Sequence, residues 1–251
     1  MIGQLPETSL HALGEALDAA PSPVAFWLRD DDATAISPQL LRLLDLANRL
    51  ALPMAIAVIP ARLEPEAAEL LAAHPRACLM QHGYDHANHA PAGQKKRELG
   101  RKLATDEVLE RLLVGAEILD RMVGDRHLPV LVPPWNRIDD DVIGKLRRSG
   151  FRGLSTFAAD KRGEAAGLVH RNPQTDPIAW RTDRAFLSPP ALVDAIIARI
   201  ADTDARPIGL LTHHLVMREA DFETIGIVMS AIRRHEKTQW LSPTALFETE
   251  S

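Results

Sequence analysis

The chain has 251 residues, of which 46% are hydrophobic and 25% are charged, and this balance is typical of a globular protein. A formal net charge of −5 and a pI of about 6.1 exclude a general basic surface for a nucleic-acid backbone. The single cysteine excludes an intrachain disulfide and a zinc site built from cysteine pairs.

The N-terminal segment lacks the basic region and the apolar stretch of a secretory signal, and no apolar run approaches the thickness of a bilayer. We therefore expect a cytoplasmic protein without a membrane or nucleic-acid partner. The sequence does not indicate an oligomeric state. Cys78 lies in a predicted buried strand, where we expect it to be inert.

Short apolar runs alternate with amphipathic segments along the chain. Strands are predicted at residues 24–28, 53–60, 77–82, 129–132, 151–156 and 207–212, with shorter ones around Leu168 and Ile178. Helices are predicted at residues 38–50, 64–74, 95–123, 139–149, 189–201 and 222–235. Ser37 is the expected N-cap of the first of these helices, and Gly150 is expected to end the fourth. This alternation predicts a single α/β domain over residues 1–251 with a mostly parallel sheet.

Polar groups follow several of the predicted strands directly. They are Asp30-Asp31-Asp32, His82, Trp135 and His213. In a barrel the loops at the carboxyl ends of the strands meet at one mouth, where such folds place their chemistry. Gly209 and Thr212 are small, and we expect them to leave room there for a substrate.

The three aspartates allow two interpretations. One is a solvated turn that caps the following helix. The other assigns one carboxylate to a metal and a neighbour to general-base work, because adjacent residues of an extended chain point in opposite directions. Like charges this close repel each other unless a cation lies among them.

Residues 82–89 contain three histidines, and imidazole is the commonest protein ligand for zinc-like metals. An H-x-x-x-H spacing places His82 and His86 on one side of a helical turn, where they can share an ion. His89 is the weakest candidate, because a second-layer or solvent-exposed position fits it equally well. The alternative for the whole stretch is a polar loop with a capping histidine.

Two further segments contribute candidates. His213 and His214 end a strand, so one is expected to point inward and the other outward, with a structural role for one of them. The Pro133-Pro134-Trp135 segment is either a rigid turn with a packing indole or a wall of the site. In the second case a backbone N–H beyond the prolines helps to bind an oxyanion.

Taken in order, these motifs resemble the polysaccharide deacetylase family, also called the nodulation-protein-B homology domain or carbohydrate esterase family 4. The corresponding stretches are Asp30-Asp31-Asp32, His82-Gly83-Tyr84-Asp85-His86, Pro133-Pro134-Trp135, Asp176 with Trp180, and Leu211-Thr212-His213. Their order and approximate spacing agree along roughly the whole chain. The resemblance implies an irregular (β/α) barrel of about seven strands.

The resemblance also implies a divalent metal, most often zinc, held by Asp31 or Asp32 with His82 and His86. The aspartate that precedes the ligand would be the general base. Counting back from the helix start at Pro38 favours Asp30 as base and Asp31 as ligand, and a shift by one residue remains open.

His213 would then be the general acid, with Asp176 as a partner that tunes its pKa. Val132 occupies the position of the arginine that pairs with the base in the family, so Arg29 or Arg137 is the candidate replacement. The residues expected to line the substrate pocket are Tyr84, His89, Pro134, Trp135, Asn136, Trp180 and His214.

These features predict a metal-dependent hydrolase that removes the acetyl group from an N-acetylated amino sugar or a related small amide. The altered arginine motif leaves a second hypothesis, hydrolysis of a small cyclic amide or ureide on the same barrel, as in allantoinase-like enzymes. A third hypothesis is a binding protein that retains the pocket without catalysis.

Overall fold

A parallel sheet forms the centre of the molecule in a computed structural model that describes residues 5–100, 102–202 and 207–248. Its strands are β1 (Val24–Ala33), β2 (Met54–Val58), β3 (Ala77–His82), β4 (His127–Val132), β5 (Gly153–Leu154), β6 (Val169–His170), β7 (Ile208–Thr212) and β8 (Thr238–Trp240). They are hydrogen-bonded in the order β6-β5-β4-β3-β2-β1-β7, with β8 beside β1. The paired strands run parallel and the sheet curls into an incomplete barrel, which confirms the predicted fold class.

Helices connect the strands and cover the outside of the sheet. They are α1 (Glu7–Ala19), α2 (Pro38–Leu50), α3 (Pro65–Ala73), α4 (Thr105–Val123), α5 (Asp140–Leu146), α6 (Arg162–Ala165), α7 (Pro189–Ile200), α8 (Glu219–Arg234) and α9 (Pro243–Phe247). Across the described ranges, no helix combines the length and the apolar character needed to cross a membrane.

Apolar burial between sheet and helices holds the first strands in place. All five residues of β2 are buried, and α2 presents Leu40, Leu43 and Ala47 to the same core. Each fully buried leucine contributes about 1.5–3 kcal/mol relative to an exposed one. The Ser37 hydroxyl accepts a hydrogen bond from the Leu40 N–H at 3.0 Å, which confirms Ser37 as the N-cap of α2. The loop between β1 and α2 is therefore anchored at the start of α2.

The barrel is nearly completed by a segment without regular structure that follows β6. The Thr175 N–H donates to the Gly209 carbonyl at 3.1 Å, and the Leu211 N–H donates to the Thr175 carbonyl at 2.8 Å. A Cβ at Gly209 would lie 2.5 Å from the Pro173 Cα. Gly209 therefore serves this close crossing, and the expectation that it leaves room for substrate is wrong.

Three other expectations differ from the structure. The helix predicted at 95–123 starts only at Thr105, and the stretch before it is irregular, with a φ of +131° at Gly100. The strand predicted around Ile178 is a single antiparallel bridge to Phe186. Cys78 is half-buried rather than buried, with its Sγ 3.4 Å from the Thr244 hydroxyl.

Candidate functional site

The carboxyl ends of β1, β3 and β7 bring the predicted site residues together. The aspartates lie near the carboxyl end of β1, His82 ends β3, and His213 directly follows β7. β1 lies beside β7, and β2 alone separates it from β3. Since these strands are parallel, their carboxyl ends lie at the same edge of the sheet.

Asp32, His82 and His86 form a group suited to binding a metal ion. Asp32 Oδ1 lies 3.1 Å from His82 Nε2 and 3.3 Å from His86 Nε2. The three candidate ligand atoms lie within 4.8 Å of one another. Tetrahedral zinc with bonds of about 2.0–2.2 Å needs donors roughly 3.3 Å apart, so one carboxylate and two imidazoles at these distances fit such an ion.

The carboxylate and the two imidazoles of this group shift one another's pKa values. Burial would raise the pKa of Asp32, but the hydrogen bond from His82 and the nearby imidazoles hold it well below its usual value. Burial, helped by the charge of His82, lowers the pKa of His86 to about 4, so this imidazole is neutral at pH 7. Burial would also lower the pKa of His82, but the hydrogen bond to Asp32 and the charges of Asp31 and Asp32 raise it.

The His82 ring is oriented by the sheet itself. Its Nδ1 lies 2.9 Å from the Val132 carbonyl of β4, and because a carbonyl only accepts, Nδ1 is the donor. The lone pair of a neutral ring is then on Nε2, which faces Asp32. A histidine ligand is commonly oriented by such a hydrogen bond on its other nitrogen.

The loop that carries His86 is held by a buried carboxylate. Glu98 Oε1 accepts hydrogen bonds from the N–H groups of Tyr84 at 2.7 Å and Asp85 at 3.1 Å, and its Oε2 accepts one from His86 at 3.1 Å. Burial raises the pKa of Glu98 despite these contacts. His86 has a φ of +57°, so the expectation of a helical H-x-x-x-H turn is wrong.

Trp135 packs on the metal group from the side of β4. Its ring centroid lies 4.3 Å from that of His86, and both Trp135 and Asn136 have positive φ values, of 55° and 56°. The N–H groups of Asn136 and Arg137 donate to the carbonyls of the two preceding prolines at 2.9 and 3.2 Å. The backbone N–H left for an oxyanion in this turn is therefore that of Trp135.

Asp31 is paired with a fully buried arginine two residues earlier on the same strand. Arg29 Nη2 donates to Asp31 Oδ2 at 3.0 Å, and Nε lies 2.9 Å from Oδ1. Arg29 Nη1 also donates to the carbonyls of Ser155 and Thr156, at 3.1 and 2.9 Å. The Asn136 side chain accepts from Nη2 at 3.3 Å. Arg29, and not Arg137, therefore lies beside an aspartate of the site.

His213 stands opposite Asp31. Its Nε2 lies 4.0 Å from Asp31 Oδ2, and its Nδ1 lies 3.8 Å from Asp176 Oδ2. The Trp180 indole donates to Asp176 Oδ2 at 2.8 Å and packs against the His213 ring, with centroids 4.8 Å apart. Burial raises the pKa of Asp176, while the charge of His213 opposes that rise.

Asp30 points away from this group. Its Oδ1 accepts from the Thr212 hydroxyl at 2.8 Å and its Oδ2 lies 2.5 Å from His214 Nδ1. Both Asp30 and His214 are fully buried. The structure therefore places neither where a substrate reaches it, contrary to the expectation of Asp30 as base and His214 as a pocket residue. The site's register is shifted by one, with Asp31 facing His213 and Asp32 facing the histidines.

The remaining predicted pocket residues lie around this group rather than in it. The Tyr84 ring lies under the Arg111 guanidinium, 5.0 Å from its carbon, and Pro134 is buried. His89 contributes no atom to the metal group. Arg137 donates to a backbone carbonyl at the surface.

The sequence did not predict the residues that lie outside the motifs and fix the site residues by hydrogen bonds. Glu98 lies in a segment that reads as helix, and nothing in its neighbourhood marks it as the partner of three backbone N–H groups. Ser155 and Thr156 were predicted to lie within a strand over residues 151–156, but the strand ends at Leu154 and both residues lie in the loop that contacts Arg29. The one available signal was Arg29, a charged residue within an apolar strand.

No protein-family model and no curated protein matches the sequence. Solved structures do resemble the fold. A peptidoglycan N-acetylglucosamine deacetylase is 15% identical, with a TM-score of 0.62 over 92% of this chain and 91% of that one. A family 4 acetyl xylan esterase from Clostridium thermocellum, solved with a cobalt ion, is 13% identical, with a TM-score of 0.58 over 89% of this chain and 90% of that one.

A mutant of a carbohydrate esterase family 4 pseudoenzyme is 14% identical, with a TM-score of 0.62 over 91% of this chain and 68% of that one. At these identities a likeness establishes the fold and leaves the chemistry to the residues of this chain. The chain therefore has the fold of the carbohydrate esterase family 4 polysaccharide deacetylases.

Proposed function

We propose that the protein is a metal-dependent deacetylase that hydrolyses the N-acetyl group of an amino sugar or a related small amide. The observation that carries this proposal is the juxtaposition of two groups, the Asp32–His82–His86 set and the Asp31–His213 pair. The first suits a divalent cation, and the second offers a base and an acid on opposite sides of a reacting carbonyl.

Asp32, His82 and His86 would hold the cation, with zinc the best match to one carboxylate and two imidazoles. Bound there, a divalent cation supplies Lewis acidity, which polarises a carbonyl and lowers the pKa of water. Trp135 covers one side of the group through its contact with His86.

Asp31 is proposed as the general base. It takes the proton of the water that attacks the acetamide carbon, while Arg29 holds the carboxylate in one orientation through two adjacent contacts. The Trp135 N–H is proposed to donate to the oxygen that becomes negative as the carbonyl is attacked.

His213 is proposed as the general acid. As the C–N bond breaks, its ring delivers a proton to the leaving nitrogen, and the products are acetate and a free amine. Asp176 lies 3.8 Å from the other ring nitrogen and is proposed to orient the ring. The Trp180 indole keeps Asp176 in place.

The proposed substrate class follows from two observations. The structural neighbours include enzymes named for peptidoglycan and for acetyl xylan, which are acetylated carbohydrates. Exposed indole surface at Trp180 beside His213 offers a platform for a sugar ring. A cytoplasmic location stays a prediction of the sequence, and it favours a small or precursor substrate over intact cell-wall polymer.

The ureide hypothesis depended on the lost arginine, and the contact of Arg29 with Asp31 supports a guanidinium partner for the proposed base. A binding protein without turnover remains the alternative to test, since one structural neighbour is named a pseudoenzyme.

The test is acetate release from N-acetylglucosamine and its short oligomers by protein reconstituted with Zn²⁺ or Co²⁺. We expect turnover that a chelator removes, and that the variants His82→Ala and His86→Ala lack. The surface histidine variant His11→Ala is the matched control and should retain full activity. A panel of small cyclic amides and ureides, run in parallel, separates the two hydrolase hypotheses.

Full activity in the doubly substituted protein, His82→Ala with His86→Ala, would remove the metal role. Stoichiometric metal binding without turnover on either panel would instead favour the binding protein.

A further inference from the structure

Two fully buried ionisable residues next to the proposed site take no part in its chemistry. Asp30 and His214 each have zero exposed surface, so neither contacts a substrate. Burying a carboxylate and an imidazole costs free energy unless their hydrogen bonds are satisfied in the interior. A strand and a loop that needed only packing would be served by apolar side chains at both positions.

We propose that Asp30 and His214 form a positioning pair, which fixes the bent end of β1 so that Asp32 joins His82 and His86. This inference rests on the metal site of the proposed function. It assigns a role to two residues that lie beyond the ligands and beyond the acid and base.

The hydrogen bonds of Asp30 all run to the end of β7. Its Oδ1 accepts from the Thr212 hydroxyl at 2.8 Å and from the His214 N–H at 3.0 Å. Its Oδ2 lies 2.5 Å from His214 Nδ1, which is the donor of that contact. Three donors on one carboxylate hold the last regular residue of β1 against its neighbour.

The backbone beyond Asp30 departs from a regular strand at the metal ligand. The register between β1 and β2 shifts between Asp30 and Ala33, and Asp32 has a φ of +76°. Such a conformation is costly for a residue other than glycine and persists only where surrounding contacts enforce it. The Asp30 contacts lie two residues before this bend, and they are the fixed point from which Asp32 turns toward the histidines.

The same pair also fixes the strand that carries the proposed acid. Asp30 accepts a hydrogen bond from the His214 N–H, which belongs to the peptide bond that follows His213. One buried pair thus links the metal ligand on β1 to the acid beyond β7. His214 Nε2 has no hydrogen-bond partner among the described residues, so the role of the ring depends on Nδ1 alone.

This asymmetry provides a matched pair of variants. His214→Asn places a side-chain amide donor near the position of Nδ1, whereas His214→Leu removes the donor at similar volume. Binding of Co²⁺, followed by its visible absorption, reports on the ligand geometry without any turnover. Removing a residue that orients metal ligands typically lowers metal affinity by about 10- to 100-fold.

We expect His214→Leu to lower Co²⁺ affinity by about 10- to 100-fold and to change the absorption bands, and His214→Asn to restore both to near the wild-type values. His74→Leu, at another buried histidine, is the control. It should change the melting temperature of the metal-free protein and leave Co²⁺ affinity unchanged. If His214→Leu does not fold, Asp30→Asn tests the same contact, because it replaces the oxygen that faces His214 Nδ1 with an NH2 group.

Unchanged Co²⁺ affinity and absorption bands in a folded His214→Leu or Asp30→Asn protein would overturn the positioning role while leaving the proposed function intact. An equal loss of affinity in His74→Leu would also overturn it, because the effect would then be general destabilisation. A wild-type protein that binds neither Co²⁺ nor Zn²⁺ would overturn the proposed function and this inference together.

Discussion

Each of the three consecutive aspartates of β1 has a different set of partners. Asp30 is bound by the end of β7, Asp31 by Arg29, and Asp32 by the two histidines. Adjacent carboxylates repel each other, and separate donors or cations offset that repulsion. The alternation of side chains along an extended strand makes this division of partners possible.

Replacement of Arg29 by lysine tests the pairing of Arg29 with Asp31. Lysine keeps the charge but loses the paired contacts to Asp31, and it leaves the buried carbonyls of Ser155 and Thr156 without a donor. We expect kcat to fall by about 10- to 100-fold, and the free energy of unfolding to fall by about 1–3 kcal/mol. Steady-state kinetics and urea unfolding measure the two effects.

Metal affinity in this variant should stay near the wild-type value, since Arg29 does not contact Asp32, His82 or His86. A kcat within twofold of wild type would contradict the assignment of Arg29 as the partner of the base.

Replacement of Glu98 by glutamine tests how the His86 loop is held. The amide keeps the shape of the side chain but replaces one acceptor oxygen with an NH2 group, which faces backbone N–H donors. We expect zinc affinity to fall by about tenfold, measured by competition with a chelating dye. Glu107→Gln is the control and should have no effect on zinc affinity, because it removes the same charge at an exposed position.

At the scale of elements, the two-residue strand β6 is held by a buried neutral histidine. His170 Nδ1 accepts from the Gly163 N–H at 3.1 Å, and its Nε2 lies 3.2 Å from the Thr156 hydroxyl. That hydroxyl donates to the Asn172 side chain, so Nε2 is the donor to its oxygen. Burial lowers the pKa of His170. The hydrogen bond that Nδ1 accepts also requires the neutral ring.

This environment predicts a dependence of stability on pH. The unfolded chain binds a proton at His170 near pH 6.5 and the folded protein does so only at lower pH, so stability falls as pH drops below about 6.5. One such group accounts for at most about 1.4 kcal/mol per pH unit. The free energy of unfolding, measured with urea between pH 7.5 and 5.5, should fall less steeply with decreasing pH in His170→Gln than in wild type.

His11→Gln, at an exposed helix position, should leave that pH dependence unchanged. An identical pH dependence in wild type and His170→Gln would contradict a lowered pKa of His170 in the folded protein.

The helices and strands also show which parts of the fold a local sequence pattern predicts. The buried strands and the amphipathic helix α2 were predicted at nearly their observed positions, because their periodicity reflects burial on one face. The stretch before α4 has helical composition, but it is irregular in the structure. Glu98 turns there to accept three N–H groups of a loop 12 to 14 residues earlier. A contact at that separation leaves no local pattern.

At the scale of the whole molecule, metal binding and folding should be coupled. The proposed ligands come from β1, from β3 and from the loop after β3, so they meet only in the folded chain. A ligand that binds the folded state alone stabilises it by about 2.7 kcal/mol at a hundredfold excess over Kd. Calorimetry should therefore show a higher melting temperature with Zn²⁺ and a lower one after chelation.

The variant His82→Ala with His86→Ala should show no such shift, and His11→Ala should behave as wild type. A zinc-induced shift that survives the double substitution would place the bound metal elsewhere in the molecule.

Residue types and their order along the chain were enough to predict the α/β class, the resemblance to polysaccharide deacetylases, and the strand ends that carry the polar groups. These features are local, since burial sets the period of each element and each motif spans a few residues. The contacts that distinguish the three aspartates were decided only in three dimensions. The β1 bend, the contacts of Arg29 with Ser155 and Thr156, and the contact of Asp30 with His214 depend on segments that meet only when the barrel forms.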